Sequence, residues 1–364
     1  MIDFLPVIIL VFSFLVLLTL GVPVAWCIAT SSLFTLMSVM PFSAATTTVS
    51  QRIATGLDSF ALLAIPFFIL SGQIMSKGGI ANRLISFAKT LVGFLPGGLA
   101  LINIVSAMMM GAIAGSAMAS ASAMGTILGP EMEKEGYSKE FGAAVNITSS
   151  TTGLVIPPSN TLIVYSLASG GVSIAALFLA GYIPGILTGL LMMIVAMVWA
   201  KKNNYPVGKR SSLKEIFTKF IDALPSLLLL VIVIGGIIAG IFTATEASAV
   251  AVLYTILLSF YYKELSLKNL PKVILESSET TAIVMLLIGA SMCMSWVLSY
   301  ENIPQDISNA LLSVSDNKII ILLMINFILL AVGIFMDATP AVLIFTPIFL
   351  PIVTDLGMDP THFG

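Results

Sequence analysis

The chain has 364 residues, of which 58% are hydrophobic and 9% are charged, and its mean hydropathy is +1.08. A water-soluble domain of this length needs a charged surface that this composition lacks, so the sequence predicts a polytopic membrane protein whose apolar surface is covered by the lipid bilayer. The net charge of −2 and the pI near 5.4 argue against a nucleic-acid partner.

Apolar runs follow one another along the chain, each near or above the roughly 20 residues that a spanning helix needs. Two of them, Leu99 to Leu128 and Ile319 to Val353, are long enough for two half-depth helices and contain small, polar or proline residues near the middle. We therefore interpret both as re-entrant hairpins. The complete set of runs is Phe4 to Leu20, Val22 to Met40, Phe60 to Met75, Leu99 to Leu128, Phe141 to Ala168, Ile174 to Ala200, Leu224 to Gly240, Ile241 to Tyr262, Ala282 to Tyr300 and Ile319 to Val353.

The run from Phe141 to Ala168 is interrupted by the segment GLVIPPSN, in which the pair Pro157–Pro158 removes two backbone donors and disfavours helix in the residues before it. Non-helical backbone at membrane depth persists only where it is buried in protein or lines a wet cavity. Carbonyls released between Thr152 and Ile156, with the hydroxyls of Ser116 and Ser159, can coordinate a small cation. The sequence thus predicts a cation site that joins the first hairpin tip to this loop.

Basic residues predict the orientation of the chain. The segment between Ala200 and Phe220 carries six lysines and arginines against one acid, so we expect it in the cytoplasm. Counting one span per apolar run then places the amino terminus outside and the base of the first hairpin inside. The stretch Gly79 to Val92 has Arg83 and Lys89 on one side and apolar residues on the other, which is typical of an interfacial helix.

The two halves of the chain show a weak internal repeat. An offset of 221 residues superimposes Pro130 on Pro351 and Ser116 on Asp337. Because the two hairpins are expected to open to opposite faces, the repeat has the inverted topology of many secondary transporters, whose site lies at the repeat interface. Asp337 lies inside an apolar run, where an acid is costly and usually functional. The second broken helix would follow Gly364, so we expect the protein to continue beyond this residue.

Six segments together resemble the large membrane subunit of tripartite ATP-independent periplasmic (TRAP) transporters, possibly of the sialic acid type. They are LLAIPFFILSGQIMSKGGI, GAIAGSAMASASAMG, TTGLVIPPSN, VSIAALFLAGYIPGI, GIFTATEASAVAVLY and GIFMDATPAVLIFTPIFLPI, and they are spread over nearly the whole chain. The resemblance implies an all-α fold with inverted repeats, two re-entrant hairpins and broken helices, as in elevator-type ion transporters.

The resemblance also implies a function. The chain would import a carboxylate solute across the bacterial inner membrane, driven by sodium and without ATP or an organic cofactor. A periplasmic substrate-binding protein would deliver the solute, and a small four-helix membrane subunit would pair with this chain. Sialic acid or a related sugar acid is the preferred solute, and a C4-dicarboxylate or another organic acid is the alternative.

By the same resemblance, two sodium sites and a solute site are assigned to this sequence. The first sodium site takes Ala114, Gly115, Ser116, Thr152, Gly153, Ile156 and Ser159, and the second takes Asp337 and Thr339. The solute site takes Ser116, Ser120, Ser159, Asn160 and Asp337. Ser120 has the alternative of permitting close helix packing. Asn146 and Ser149 to Thr152 either face the site or bond back to their own helix, and Glu246 binds either solute or nearby backbone.

The elevator interpretation divides the chain into fixed and moving parts. We expect scaffold helices in residues 1–58 and 173–262, with a basic cytoplasmic loop at 201–222. Linking and arm helices are expected in residues 59–98 and 263–318. Residues 99–172 would form the first transport half, with hairpin and broken helix, and residues 319–364 the second hairpin.

Two other function classes are less consistent with the sequence. The only histidine is His362, and the sequence lacks paired carboxylates and metal-spaced His and Cys residues, which disfavours an intramembrane enzyme. A channel would predict polar stripes along several full spans, whereas polar residues here concentrate at two hairpin tips.

Overall fold

The computed structural model describes residues 5–77, 79–315, 317–334 and 336–364. This part of the chain is almost entirely helical, with a single isolated β-bridge between Pro96 and Val207 among the described residues. The helices are α1 (Leu5–Thr19), α2 (Val24–Val39), α3 (Phe42–Gly56), α4 (Ala64–Lys77), α5 (Ile80–Val92), α6 (Gly98–Ala114), α7 (Ala117–Lys134), α8 (Lys139–Ser150), α9 (Thr152–Val155), α10 (Asn160–Ala168), α11 (Ile174–Lys202), α12 (Leu213–Ile238), α13 (Ala244–Tyr261), α14 (Leu270–Tyr300), α15 (Ile303–Val314), α16 (Lys318–Gly333), α17 (Ala338–Asp355) and α18 (Pro360–Phe363).

Six helical segments of the described chain are long and apolar enough to cross a membrane: Phe60–Lys77, Ile174–Lys202, Leu213–Ile238, Ala244–Tyr261, Leu270–Tyr300 and Ala338–Asp355. The surface of α11 illustrates what covers them, since Ile183, Val195 and Val198 are each more than 60% exposed. Such a surface is stable only in hydrocarbon. The predicted polytopic, all-α membrane fold is confirmed.

Both predicted hairpins consist of two helices around a short break. Helix α6 ends at Gly115, whose φ of +59° stops the helix, and α7 begins after Ser116 in extended conformation. Helices α16 and α17 are also separate, since α16 ends at Gly333 and Asp337 is extended immediately before α17. The predicted interruption by the Pro157–Pro158 pair is also observed, because α9 ends at Val155 and α10 begins at Asn160.

The repeat is visible in the helix order. Helices α6, α7 and α8 begin at residues 98, 117 and 139, and α16, α17 and α18 begin at 318, 338 and 360, which gives offsets of 220, 221 and 221. Ser116 and Asp337 occupy the same N-cap position of α7 and α17. The predicted repeat of helix types is therefore confirmed, and the opposite orientation of its copies stays a prediction.

The chain forms two compact units. The first contains residues 1–62, 164–173 and 280–364, and its core includes Leu36, Ala45 and Val297 packed with Trp296. The second contains residues 63–163 and 174–279 and holds the first hairpin, the loop after α9 and the helices α11 to α13. The division into scaffold and transport parts stays a prediction.

Helix α5, the predicted interfacial arm, is amphipathic and belongs to the second unit. Its apolar face is covered by protein rather than left free, since Ile80 and Leu84 are fully buried and Phe87 lies 5.6 Å from the ring of Phe220 in α12. On the other side, the guanidinium of Arg83 lies 3.6 Å from the ring centroid of Tyr262.

Arg83 links the arm to α12 and to the segment that follows α13. Its guanidinium lies 3.5 Å from an Asp222 carboxylate oxygen and 3.9 Å from one of Glu264, and the side chain is 20% exposed. Its Nη1 also donates to the carbonyl of Gly79 at 3.0 Å. A mostly buried cation with these partners contributes more to the free energy of unfolding than an exposed ion pair does.

We expect Arg83→Ala to lower the free energy of unfolding by about 1–2 kcal/mol, because it removes a ring contact and two ion pairs from a mostly buried guanidinium. The matched control is Lys139→Ala, which removes an ion pair with Glu133 whose lysine is 77% exposed and which should change stability by less than about 1 kcal/mol. Thermal unfolding of both purified variants in detergent measures the difference. Equal effects would show that the arm is not fastened through Arg83.

Candidate cation site at the first hairpin tip

The tip of the first hairpin and the loop after α9 touch through their backbones. The Asn160 N–H donates to the carbonyl of Gly115 across 3.5 Å. A Cβ atom added at Gly115 would lie 2.9 Å from the carbonyl oxygen of Pro158, so both the positive φ and the neighbour require glycine here. The predicted meeting of tip and loop is observed.

A second backbone contact lies one turn below the tip. A Cβ added at Gly111 would be 2.2 Å from the Cα of Gly153, and one added at Gly153 would be 2.8 Å from the Cα of Gly111. This pair lets α6 and α9 approach as closely as small residues allow in membrane helices. Gly153, predicted as a cation ligand, therefore also has a packing role, and Gly111 was not singled out by the sequence.

The proline pair leaves carbonyls without their usual helical donors. Residues 157 and 158 have no N–H, so the carbonyls of Gly153 and Leu154 lack the partner four residues on. The Leu154 carbonyl instead accepts the hydroxyl of Ser159, which in turn accepts the N–H of Leu162 at 3.4 Å. Ser159 therefore bonds within the loop and replaces the donor that the Leu154 carbonyl has lost. The Gly153 carbonyl has lost its helical donor as well.

Ser116 caps the start of α7. Its hydroxyl accepts the Ala119 N–H at 3.4 Å, and the residue is half-buried. The cap leaves further hydroxyl capacity, since an alcohol oxygen accepts two bonds and donates one. Ser116 therefore remains available to a ligand at the tip.

Asn160 provides the acceptor that the site leaves unpaired. Its Oδ1 is buried and has no hydrogen-bond partner among the described residues. Its Cγ lies 3.6 Å from the position of a Cβ on Gly115, which places the amide beside the tip. An unsatisfied buried acceptor costs about 1–3 kcal/mol, and a bound cation would remove that cost.

Several polar residues near the tip are satisfied by the protein itself. The hydroxyl of the fully buried Ser120 donates to the Ala107 carbonyl at 3.3 Å, which joins the two arms of the hairpin. The hydroxyls of Ser149 to Thr152 bond to carbonyls of their own helix, as one of the two sequence interpretations expected. Ile156, predicted as a ligand, is extended and buried.

Two asparagines link helices beside this region through hydrogen bonds. The Nδ2 of Asn146 donates to the Ala121 carbonyl at 2.9 Å, and the Ser149 hydroxyl donates to Asn103 Oδ1 at 3.1 Å. Asn103 is fully buried in α6. Asn103 was not predicted from the sequence, although an asparagine within an apolar run indicates a buried polar contact.

The second predicted site belongs to the first unit. Asp337 lies at the N-cap of α17, is exposed, and makes no side-chain cap bond. Thr339 follows within the first turn of α17. The side chain of Ala114, predicted for the first sodium site, lies outside the described residues.

Glu246 has a structural role. Its carboxylate accepts the Thr243 N–H at 2.8 Å and forms a capping box at the start of α13, while the Thr243 hydroxyl accepts the Glu246 N–H. The alternative in which Glu246 binds backbone is the one observed.

We expect Gly153→Ala to destabilise the protein by about 1–3 kcal/mol, because its methyl group meets the Gly111 backbone and forces the loop away from the hairpin. Gly129→Ala, in the hairpin that Gly153 contacts, is the control, since a Cβ there meets no atom within 4 Å, and it should leave stability unchanged or slightly raised. Thermal unfolding of both variants tests this. Equal behaviour of the two would refute the close contact.

The comparisons with known proteins agree with this architecture. A family model described as "Tripartite ATP-independent periplasmic transporter, DctM component" matches residues 11–364. The crystal structure of the Alcanivorax borkumensis YdaH transporter has a TM-score of 0.59 and 14% identity to this chain, covering 87% of it and 74% of that chain. The two proteins share a fold.

Relatives extend over nearly the whole chain. Uncharacterized protein YgiK of Salmonella typhimurium is 55% identical, covering 99% of this chain and 82% of the relative. The C4-dicarboxylate TRAP transporter large permease protein DctM of Rhodobacter capsulatus is 37% identical, covering 87% and 75%. The sialic acid TRAP transporter large permease protein SiaM of Vibrio cholerae is 36% identical, covering 97% and 82%. This chain, a transporter permease and not an enzyme, therefore belongs to the DctM component family of tripartite ATP-independent periplasmic transporters.

Proposed function

We propose that this chain couples sodium entry to the import of a carboxylate solute, and that one sodium ion binds between the first hairpin tip and the loop after α9. The observation that carries the proposal is the buried, unpaired Oδ1 of Asn160 beside the tip. Sodium is a hard cation that takes oxygen ligands, and this oxygen has no donor of its own.

The other ligands of the proposed site are neutral oxygens. The Ser116 hydroxyl has spare acceptor capacity, and the Gly153 carbonyl has lost its helical donor to Pro157. Broken helices that present such carbonyls to a monovalent cation recur in secondary transporters. Groups of three or more His, Cys, Asp or Glu that could hold another metal do not occur among the described residues.

A second sodium ion is proposed at Asp337 and Thr339, which occupy in the second hairpin the position that Ser116 has in the first. The proposed solute contacts are Ser116, Ser120, Ser159, Asn160 and Asp337. Of these, Ser120 and Ser159 already bond to carbonyls of the chain. Within the second unit, Ser116 and Asn160 are therefore the residues to which a carboxylate solute is best assigned, and Asp337, in the first unit, stays a separate prediction.

We expect uptake to depend on sodium and Asn160→Ala to raise the sodium concentration needed for half-maximal uptake by about tenfold, because about 1.4 kcal/mol of ligand interaction is lost. Asn203→Ala is the control, since Asn203 is an exposed asparagine that bonds only to the Trp199 carbonyl. The assay is solute uptake into proteoliposomes with sodium or choline outside.

Sodium-dependent thermal stabilisation of the purified variants gives a readout without transport. Asn160→Ala should lose the stabilisation by sodium while keeping the stability in choline, because Asn160 Oδ1 has no protein partner to lose. Uptake that persists unchanged in choline would disprove sodium coupling. A loss of stability in choline would instead assign Asn160 a structural role.

The solute is proposed to be a sugar acid of the sialic acid type, with a C4-dicarboxylate as the second candidate. The relative named for sialic acid is 36% identical to this chain and two relatives named for C4-dicarboxylates are 37% and 41% identical, and differences this small do not decide the solute. The tripartite family implies a periplasmic substrate-binding protein and a small membrane subunit as partners.

Because the binding protein selects the solute before delivery, calorimetry of the partner binding protein against sialic acid and succinate distinguishes the two candidates. We expect binding of sialic acid and none of succinate. Binding of succinate alone would replace the sugar acid by a dicarboxylate without affecting the proposed sodium coupling.

A further inference from the structure

A cavity of about 520 Å³ in the second unit has nine polar or charged residues among the 15 that line it. Its walls are the end of the arm helix α5, the start of α6 and the segment from residue 206 to 219. We call it the basic cavity, because four basic and two acidic side chains line it: Lys89, Lys209, Arg210, Lys219, Glu135 and Glu215. The four positive and two negative charges give it a net charge of +2.

The segment that carries most of these charges is held in place by backbone contacts. Val207 forms an antiparallel β-bridge with Pro96, in the turn between α5 and α6. A Cβ added at Gly208 would lie 2.4 Å from the carbonyl oxygen of Gly93, so the two backbones are in direct contact. These backbone contacts fix the position of the segment that carries Lys209 and Arg210, so the fold itself defines this wall of the basic cavity.

Two of the four cations are already partnered. Lys89 Nζ lies 2.9 Å from a carboxylate oxygen of Glu131, and the guanidinium of Arg210 lies 5.1 Å from the ring centroid of Phe94. Lys209 and Lys219 have no ion-pair partner in the described part of the chain. With Lys89 paired to Glu131, three positive and two negative lining side chains remain, and their net charge of +1 can be neutralised by an anionic ligand.

The backbone at the start of α6 adds to the same potential. Gly98 and Leu99 form part of the cavity wall. The preceding residue, Gly97, has no side chain that could cap the start of the helix. The amino end of a helix carries a partial positive charge that favours an anion. Lysine, arginine and a helix start together are the donor set that binds phosphate.

The expected orientation places the basic cavity at the cytoplasmic surface of the membrane, since the segment from 201 to 219 is the most basic part of the chain. Anionic phospholipids present their phosphodiester headgroups at this depth, and basic pockets beside membrane helices bind them. We infer that the basic cavity binds a phosphate-bearing group, namely the headgroup of an anionic phospholipid of the inner leaflet. A soluble phosphate is the other source of the same chemistry.

The test titrates the purified chain with phosphatidylglycerol or phosphatidylcholine in detergent and counts bound lipid by native mass spectrometry. The cavity variant combines Lys209→Gln with Lys219→Gln. We expect its affinity for phosphatidylglycerol to fall about tenfold, since each lysine near an anionic lipid contributes about a factor of several. Phosphatidylcholine should show no saturable binding.

The matched control combines Lys201→Gln with Lys202→Gln, which removes the same charge from the end of α11 outside the cavity. The control should change phosphatidylglycerol affinity by less than about twofold, because these lysines do not line the cavity. Lys209→Arg with Lys219→Arg keeps the charge and should keep the binding, which separates lost charge from lost folding.

A third arm adds inorganic phosphate. Displacement of phosphatidylglycerol by millimolar phosphate would assign the cavity to a soluble phosphate ligand, whereas its failure assigns the cavity to lipid. Equal losses in the cavity and control variants would overturn the inference, because binding would then follow net charge alone. Equal binding of both lipids with no binding of phosphate would overturn it as well. Neither result bears on sodium coupling, which is measured independently.

Discussion

A broken helix in an apolar environment has backbone groups that no water can satisfy, and the first hairpin is arranged around this constraint. The Gly115 N–H bonds to the Gly111 carbonyl at 2.8 Å, and the Gly115 carbonyl accepts the Asn160 N–H. On the other side the Leu154 carbonyl accepts the Ser159 hydroxyl. Each break thus satisfies part of its own backbone, and the Asn160 N–H joins the loop to the tip at the place where the proposed site lies.

This arrangement explains the residue types around the tip. Glycine at 111 and 153 lets the two backbones approach, and the hydroxyls of Ser149 and Thr152 turn back onto their own helix. These internal bonds use up most of the polar groups that the sequence offers. Asn160 Oδ1 is left without a partner beside the tip, and a bound ligand would satisfy this buried acceptor.

The breaks could be predicted from local sequence. The prolines at 157 and 158 prevent helix in the residues beside them, and the run around Ser116 is too long for a single spanning helix and contains small residues near its middle. The repeat was predictable because it compares sequence with sequence. The contact between Gly111 and Gly153, the bond from Ser149 to Asn103 and the covering of the arm face at Leu84 were not predictable. They depend on which helices pack together, and periodicity within one helix shows only that a face is apolar, not whether protein or lipid covers it.

The described residues from 111 to 116 and from 151 to 160 include no charged side chain, while Arg83 and Lys89 of the second unit pair with Asp222 and Glu131 away from the tip. On the proposed function this separation has a consequence. A carboxylate brought to a neutral, water-poor tip would lose hydration without a countercharge, which is unfavourable. A sodium ion at Asn160 would supply that charge, and each ligand would then raise the affinity of the other by the same factor. The coupling of solute to sodium would thus follow from the absence of a fixed cation at the tip.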